Sequence, residues 1–148
     1  MTRRHLLASL ATLSLVASTA CGGGNDTPTA PSLPPTGTAP FSITDLRPGT
    51  GAVAVAGQDV TVNYTGWLYS NTAAENKGSQ FDANRNMRFR LGANVIAGWS
   101  QGIPGMRVGG LRRLVIPPEL AYGSSTPDPS RIPPNATLLF EVELVSVP

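Results

Sequence analysis

One short stretch of this chain, residues 94–99, holds residue types that could bind an apolar ligand. It places two branched apolar residues, Val95 and Ile96, and two small residues directly before Trp99. Tryptophan is large and its indole N–H needs a partner, so burying it without a reason is unfavourable. One reason is core packing, and the other is a flat aromatic floor for an apolar ligand. The residue types alone leave both interpretations open.

Nucleophilic and metal chemistry are restricted by the scarcity of histidine and cysteine. The chain has one histidine, His5, and one cysteine, Cys21, both near the N-terminus. An intramolecular disulfide is therefore excluded. If residues 1–20 are removed, no Ser–His or Cys–His nucleophile and no His/Cys metal site can be built. The remaining chemistry uses carboxylates, hydroxyls, aromatic rings and backbone amides, and we expect neither a metal nor a cofactor.

Asp82 is the carboxylate of most interest, because it directly follows Phe81 at the predicted edge of a loop. An isolated aspartate in such a place is usually a turn or cap residue. We find no convincing second acid to pair with it, so a carboxylate-based hydrolase ranks last among the functions considered.

The net charge gives no argument for nucleic-acid binding. The chain has 11 Lys and Arg against 9 Asp and Glu. Two of the basic residues, Arg3 and Arg4, lie in a predicted targeting segment, and without them the chain is formally neutral. Four arginines at 88, 90, 112 and 113 could form a basic patch, but a solvated sheet exterior with glutamates nearby is the preferred interpretation.

Residues 1–20 predict an export signal, since basic residues precede a short apolar run and small residues precede Cys21. The run is short for a membrane span. The segment resembles a bacterial lipoprotein signal, which implies a lipid on Cys21 and a membrane-anchored protein in the bacterial cell envelope, periplasmic or at the surface. Ordinary cleavage that leaves a free cysteine and an uncleaved anchor are the alternatives.

Residues 21–40, from the predicted lipid-bearing cysteine onward, form a linker rich in Pro, Gly and Thr. It could hold a domain on the order of 20–60 Å from a surface. The domain itself is predicted over residues 41–148.

The domain must position these residues with about five strands and one short helix, which indicates an α+β fold with an antiparallel sheet wrapped on the helix. The predicted strands are 41–46, 60–68, 87–91, 111–116 and 137–147, the last being the longest. Helix 95–102 contains glycine and ends before a Pro-Gly turn. Residues 71–80 and 119–135 are predicted loops, and long loops usually serve a site.

Alternation within the predicted strands assigns side chains to the two faces of the sheet. Tyr64 shares a face with Val60 and Val62, so it should point to the apolar side. Phe89 and Phe140 are likewise predicted to face inward.

Motifs through the domain stand in an order typical of one family. They are Val62-Asn63-Tyr64-Thr65-Gly66, Phe81-Asp82, Phe89-Arg90-Leu91-Gly92, Val95-Ile96-Ala97-Gly98-Trp99, Gly105-Met106-Arg107-Val108-Gly109-Gly110, Ile116-Pro117-Pro118-Glu119-Leu120-Ala121-Tyr122-Gly123, Ile132-Pro133-Pro134-Asn135-Ala136-Thr137-Leu138 and Phe140-Glu141-Val142-Glu143-Leu144. The domain therefore resembles FKBP-type peptidyl-prolyl isomerases, the macrolide-binding class. The resemblance implies a five-stranded antiparallel half-barrel around a short helix, with an apolar cleft between them.

The resemblance also implies roles for individual residues. Trp99 would form the cleft floor under a proline ring. The walls would be Tyr64, Phe81, Val95, Ile96 and Phe140. The backbone N–H of Ile96 and the hydroxyl of Tyr122 would donate to substrate carbonyls. Asp82 would be a polar wall residue, and Ile132 would close the loop side.

Several departures from the family pattern bear on substrate preference and macrolide affinity more than on the fold. The loop before Phe81 looks several residues longer, and segment 82–87 a few residues shorter. Met87 replaces a usual cleft phenylalanine. The turn at 92–94 seems one residue short, and the loop after Tyr122 carries Asp128 and Arg131.

The leading hypothesis is a peptidyl-prolyl cis-trans isomerase that acts on X–Pro bonds of exported proteins by a non-covalent twisted-amide mechanism. No bond is broken in that reaction, so the missing histidine and cysteine fit it. Its partners would be proline-containing peptides and unfolded exported proteins, with macrolides as candidate ligands. The alternatives are a non-catalytic, chaperone-like lipoprotein that binds prolyl peptides, and a purely structural surface lipoprotein with no pocket beside Trp99.

Overall fold

The computed structural model of the protein describes residues 37–148. The predicted export signal, Cys21 and most of the predicted linker lie outside the described residues. Within residues 37–148, no helix is long and apolar enough to cross a membrane.

Five strands form one antiparallel sheet in the spatial order β1-β4-β5-β2-β3. They are β1 (Ser42–Arg47), β2 (Asp59–Tyr69), β3 (Lys77–Arg90), β4 (Leu111–Ile116) and β5 (Leu138–Ser146). The single α-helix of the described region, α1, is Ala97–Gly102, and 3-10 turns occupy Ala74–Asn76 and Pro118–Leu120. The predicted α+β class and the five-stranded antiparallel sheet are confirmed.

The core lies between α1 and one face of the sheet. Every second residue of β5 from Leu138 to Leu144 is buried, and β2 contributes Val60, Val62 and Leu68 to the same core. This period of two is the pattern of a sheet with one covered face. The predicted inward positions of these strands are therefore confirmed.

Two glycines let the helix backbone approach β4. A Cβ atom at Gly98 would lie 2.5 Å from the Ile116 side chain, and one at Gly102 would lie 2.6 Å from the Leu114 side chain. Larger residues would push α1 away from the sheet. This close approach fixes the depth at which Trp99, on the same helix, enters the core.

Strand β3 is the main correction to the predicted elements. It begins at Lys77 and, not β5, is the longest strand. Residues 77–80 therefore belong to a strand and not to the predicted loop. Asp82 lies inside β3 opposite Gly66, and not at a loop edge. Because β3 is an edge strand with many exposed positions, its polar sequence looks like a loop although its backbone is paired with β2.

A charged cluster fastens the segment between β2 and β3 to the outer face of the sheet. Lys77 Nζ lies 2.7 Å from a Glu75 carboxylate oxygen and 2.9 Å from Glu141 Oε1. Arg113 Nη2 lies 2.7 Å from the same Glu141 oxygen. A carboxylate on β5 thereby joins a cation from β3 to a cation from β4.

The four arginines predicted on the sheet exterior do not form one patch. Arg112 lies opposite the buried Val142, so it points to the helix side, where it donates to the Gly102 carbonyl at 2.8 Å. It also pairs with Asp45. A cation at the carbonyl end of a helix is favourable, because the helix dipole is negative there.

Candidate active site

An open cleft of about 510 Å³ lies between α1 and the helix-facing side of the sheet. Its lining side chains come from β2, β3, β5, α1 and the segments before α1 and after β4. They are Tyr64, Phe81, Asp82, Met87, Asn94, Val95, Ile96, Ala97, Trp99, Ala121, Tyr122 and Phe140. The structure therefore brings together every site residue predicted from the sequence except Ile132.

Trp99 lies at the base of this cleft and is 4% exposed. Its ring centroid is 5.0 Å from that of Tyr64, 5.3 Å from that of Phe89 and 5.3 Å from that of Phe140. Contacts with Tyr64 and Phe140 are edge-to-face, an arrangement that aromatic quadrupoles favour. Trp99 therefore packs in the core and also lines the cleft.

The far wall of the cleft is a perpendicular aromatic pair supported by a glycine. The Phe81 and Phe140 rings lie 5.5 Å apart at 90°. A Cβ atom at Gly66 would come within 2.7 Å of Phe81 Cζ and 2.8 Å of Phe140 Cε1. Gly66 thus leaves the space that both rings occupy. The sequence signal for this role is a glycine inside an otherwise alternating strand.

The polar side of the cleft is built on the Asp82 carboxylate. The Tyr64 hydroxyl donates to Asp82 Oδ2 at 2.6 Å, and the Ala83 backbone N–H donates to Oδ1 at 2.9 Å. Burial, together with this hydrogen bond to a carboxylate, raises the pKa of Tyr64 well above its usual value. Tyr64 therefore stays protonated at neutral pH and fixes one orientation of Asp82.

Tyr122 presents its hydroxyl to the same cleft from the segment after β4. Burial, and then the negative charge of Asp82, raise the pKa of Tyr122 above its usual value. Unlike the hydroxyl of Tyr64, that of Tyr122 has no hydrogen-bond partner among residues 37–148. It is a protonated donor available to a ligand.

A second donor lies beside the cleft floor, at the residue that precedes α1. The Ile96 carbonyl accepts hydrogen bonds from the backbone N–H of Trp99 at 3.0 Å and from the backbone N–H of Ser100 at 3.3 Å. Ile96 itself has extended backbone angles. Its own N–H has no acceptor within the described part of the chain. The cleft thus combines an apolar floor with two donors that ligand carbonyls could use.

Ile132 is not among the residues that line the cleft, and it lies in the loop after Tyr122. It is 5% exposed and belongs to the buried core cluster. Its N–H donates to the Asp128 carbonyl at 2.9 Å, and the Asn135 N–H closes the loop by donating to the Gly123 carbonyl at 2.7 Å. These bonds fold the loop over its own apolar residue, so Ile132 supports the loop from within.

Four further residues that line the cleft are not among the site residues predicted from the sequence, although Met87 is noted there at the place of a usual cleft phenylalanine. They are Met87, Asn94, Ala97 and Ala121. Small side chains carry no chemical signal in a sequence, since they contribute by leaving space. Asn94 has a φ of 56°, and asparagine tolerates this left-handed conformation better than most residues.

A second cavity, of about 590 Å³, lies on the opposite face of the sheet. Asn63 and the carboxylates of Glu141 and Glu143 line it. Both carboxylates already have partners, since Glu141 pairs with Arg113 and Glu143 accepts from the Asn63 amide at 2.9 Å. Among residues 37–148, Tyr64 is the one aromatic residue that lines this cavity, whereas five aromatic residues line the cleft above Trp99, which is therefore the better candidate for a ligand site.

The groups that line the cleft determine which ligands it can hold. Among residues 37–148, no group of three or more His, Cys, Asp or Glu is close enough to hold a metal ion. The cleft offers apolar surface, one fixed carboxylate and two hydrogen-bond donors. It can hold an apolar ring and fix the carbonyl groups next to it.

Comparisons with known proteins agree with this geometry. An FK506-binding protein of Streptomyces anulatus is 45% identical over 114 residues, which cover 74% of this chain and 87% of that protein. An FK506-binding protein of Neisseria meningitidis serogroup B is 45% identical over 106 residues, which cover 71% of this chain and 94% of that protein. The solved peptidyl-prolyl cis-trans isomerase from Pseudomonas syringae pv. tomato is 38% identical with a TM-score of 0.61, covering 72% of this chain and 74% of that one.

The family model described as FKBP-type peptidyl-prolyl cis-trans isomerase matches residues 51–145. This range includes β2, β3, β4, all of β5 except its last residue, and every residue that lines the cleft. The chain therefore belongs to the FKBP-type peptidyl-prolyl cis-trans isomerase family.

Proposed function

We propose that this protein isomerises X–Pro bonds of exported proteins without a covalent intermediate, by binding the twisted amide better than the planar one. The observation that carries the proposal is the cleft floored by Trp99, with hydrogen-bond donors at Ile96 and Tyr122 among its lining residues. Such a site suits a prolyl ring flanked by backbone carbonyls.

The energetic demand on the cleft is moderate. Rotation about an X–Pro bond has a barrier of about 18–20 kcal/mol and takes tens to hundreds of seconds unaided. Reaching the millisecond range requires an acceleration of about 10⁴–10⁵, or roughly 5.5–7 kcal/mol. Positioning and electrostatic effects can supply this amount without bond cleavage.

Leaving water costs the twisted amide less than the planar amide, because the twisted form has lost the charge separation between oxygen and nitrogen. A planar amide carries partial charges on oxygen and nitrogen that water stabilises, whereas rotation localises the nitrogen lone pair. An apolar cleft removes that water, so it penalises the planar form more than the twisted form. Trp99 and the Phe81–Phe140 wall hold the prolyl ring while the donors fix the carbonyls.

The Tyr64–Asp82 hydrogen bond keeps the polar wall in one arrangement. With Tyr64 held 5.0 Å from Trp99, the same bond also restrains one edge of the floor. Neither group exchanges a proton with the substrate in this mechanism. Their contribution is preorganisation, which avoids rearrangement as the amide rotates.

We infer that the substrates are exported proteins, and we infer the location, from the N-terminal segment. Residues 1–20 have the pattern of an export signal, and Cys21 is the residue that a lipoprotein pathway would modify. We place the enzyme on a lipid anchor in the bacterial cell envelope, with its domain at the end of the linker. Loss of labelled fatty acid and of membrane association in Cys21→Ala would support this, and an unchanged label would contradict it.

Macrolide binding at the same cleft is part of the proposal, since the relatives from Streptomyces anulatus and Neisseria meningitidis are named FK506-binding proteins. FK506 should then compete with a prolyl peptide. Peptide turnover that stays unchanged at saturating FK506 would exclude a shared site.

The decisive experiment measures cis-to-trans rates of a proline tetrapeptide with the full chain. Acceleration that scales with enzyme concentration is expected. Peptide binding, seen as a change in indole fluorescence, without acceleration would support the non-catalytic, chaperone-like alternative. If the folded protein neither binds the peptide nor accelerates its isomerisation, the purely structural alternative remains.

A further inference from the structure

Met87 differs from the other methionines of the chain in its surroundings. Of the three methionines, Met1 lies outside the described residues, and Met106 is 2% exposed in the core. Met87 is only partly buried and lines the open cleft. Within residues 37–148, its thioether is therefore the one that a small solute can reach through the cleft.

The position of Met87 couples its chemistry to peptide binding. It lies on β3 opposite the fully buried Val62, so its backbone is held by the sheet. Its side chain shares the cleft with Trp99 and Asp82. A change in the polarity of this side chain thus alters the wall that a prolyl peptide must cover.

We propose that Met87 is an oxidation site through which hydrogen peroxide or an organic hydroperoxide weakens peptide binding to the cleft. The inference rests on the proposed function, because it concerns the same site. The peroxide transfers one oxygen atom to the thioether sulfur. The O–O bond breaks, an S–O bond forms, sulfur loses two electrons, and the peroxide leaves as water or an alcohol.

The product is a polar sulfoxide in place of an apolar thioether. Covering its oxygen with a peptide removes water from a hydrogen-bond acceptor. The carboxylate of Asp82 cannot donate to it, and the Tyr64 hydroxyl is already bonded to Asp82. If the Tyr122 hydroxyl turns to the sulfoxide, one donor is lost to the substrate. Either arrangement weakens binding.

The expected kinetic effect is on KM more than on kcat. In this proposal Met87 contacts the prolyl ring, which is the same in the planar and the twisted states, so losing that contact removes uniform binding. Trp99 and the Phe81–Phe140 wall still exclude water from the amide, so the discrimination between the two states is kept. We expect KM to rise about tenfold, equal to about 1.4 kcal/mol, with kcat nearly unchanged. Methionine sulfoxide reductase should restore the original KM, because the modification is reversible.

The experiment treats the full chain with dilute hydrogen peroxide, measures sulfoxide at Met87 and Met106 by peptide mass spectrometry, and assays the prolyl tetrapeptide. The KM of Met87→Leu is measured before and after treatment, so its own basal rate does not affect the comparison. This KM should not change. Met106→Leu is the matched control and should lose affinity on treatment as the parent does. Cys21 is present in every variant, so its oxidation cannot explain a difference between them.

Complete oxidation of Met87 with an unchanged KM would overturn the inference. Faster oxidation of Met106, or an equal loss in Met87→Leu, would overturn it too. These outcomes differ from failure of the proposed function, which would appear as no acceleration by untreated protein.

Discussion

The Tyr64 hydroxyl donates a 2.6 Å hydrogen bond to the Asp82 carboxylate, joining neighbouring strands across the polar side of the cleft. Burial and this bond raise the pKa of Tyr64. The folded protein therefore keeps a proton that the unfolded chain loses near pH 10. The stabilising contribution is fully present below about pH 10 and is lost as the pH rises further.

Tyr64→Phe tests this relationship. The variant keeps the ring beside Trp99 but leaves Asp82 with one donor fewer, so unfolding free energy should fall by about 0.5–1.5 kcal/mol at pH 7. Denaturant unfolding at pH 7 and at pH 10–11 should show a smaller alkaline loss of stability than in the parent. An identical alkaline loss would show that Tyr64 does not keep its proton in the folded state.

Tyr122→Phe separates a ligand donor from a structural donor. Because the Tyr122 hydroxyl has no partner among the described residues, its removal should leave the melting temperature nearly unchanged. Losing one hydrogen bond to the substrate of about 1 kcal/mol should lower kcat/KM roughly fivefold.

The measurement pairs thermal unfolding with the tetrapeptide assay, with Tyr69→Phe as the control, since Tyr69 does not line the cleft. Full activity in Tyr122→Phe would remove the hydroxyl from the proposed mechanism. A large drop in the melting temperature would instead show that the Tyr122 hydroxyl makes a hydrogen bond that stabilises the fold.

Gly66→Ala tests whether the aromatic wall depends on an absent side chain. The new methyl group would lie within 3.0 Å of both Phe81 and Phe140, so at least one ring must move. Overpacking of this kind typically costs about 1–3 kcal/mol. We expect that loss in denaturant unfolding, together with a higher KM for the peptide.

The double variant Gly66→Ala/Phe81→Leu supplies the control, because a smaller residue at 81 relieves the contact. The two changes should then be less destabilising together than the sum of the single changes. Strict additivity would mean that the methyl group does not meet Phe81.

The sequence predicts best those elements whose residues are both apolar and bounded by strong breakers. Strand β4 has the predicted bounds, Leu111–Ile116. Gly110 directly precedes its first residue, and Pro117 directly follows its last. The sequence predicts a shorter β3, because most of residues 77–86 are polar and exposed and so have the composition of a loop. Pairing with β2, a tertiary property, decides its true length.

The site was predictable where side chains contribute chemistry and unpredictable where they contribute space. The aromatic and polar residues of the cleft follow from the motif resemblance, whereas Ala97 and Ala121 give no such signal. The sequence predicts Ile132 on the loop side of the cleft, but it does not show how the loop after Tyr122 closes on itself. Its burial comes from hydrogen bonds between residues of that loop.

Trp99→Leu gives the strictest test of the cleft floor. The indole is 4% exposed and contacts three aromatic rings, so the substitution also leaves a void in the core. We expect a stability loss of about 2–4 kcal/mol, by analogy with other large-to-small core changes. Isomerase activity should fall at least tenfold, since the flat surface beneath the prolyl ring is gone.

Destabilisation alone could lower activity, so the control must cost similar stability without touching the cleft. Ile103→Ala is suitable, because Ile103 is fully buried just after α1 and does not line the cleft. Its expected cost is about 2–5 kcal/mol. With activities normalised to the folded fraction at each temperature, Ile103→Ala should match the parent while Trp99→Leu stays low. If both variants lose activity equally, the indole acts through folding stability, and the cleft floor has no separate part in catalysis.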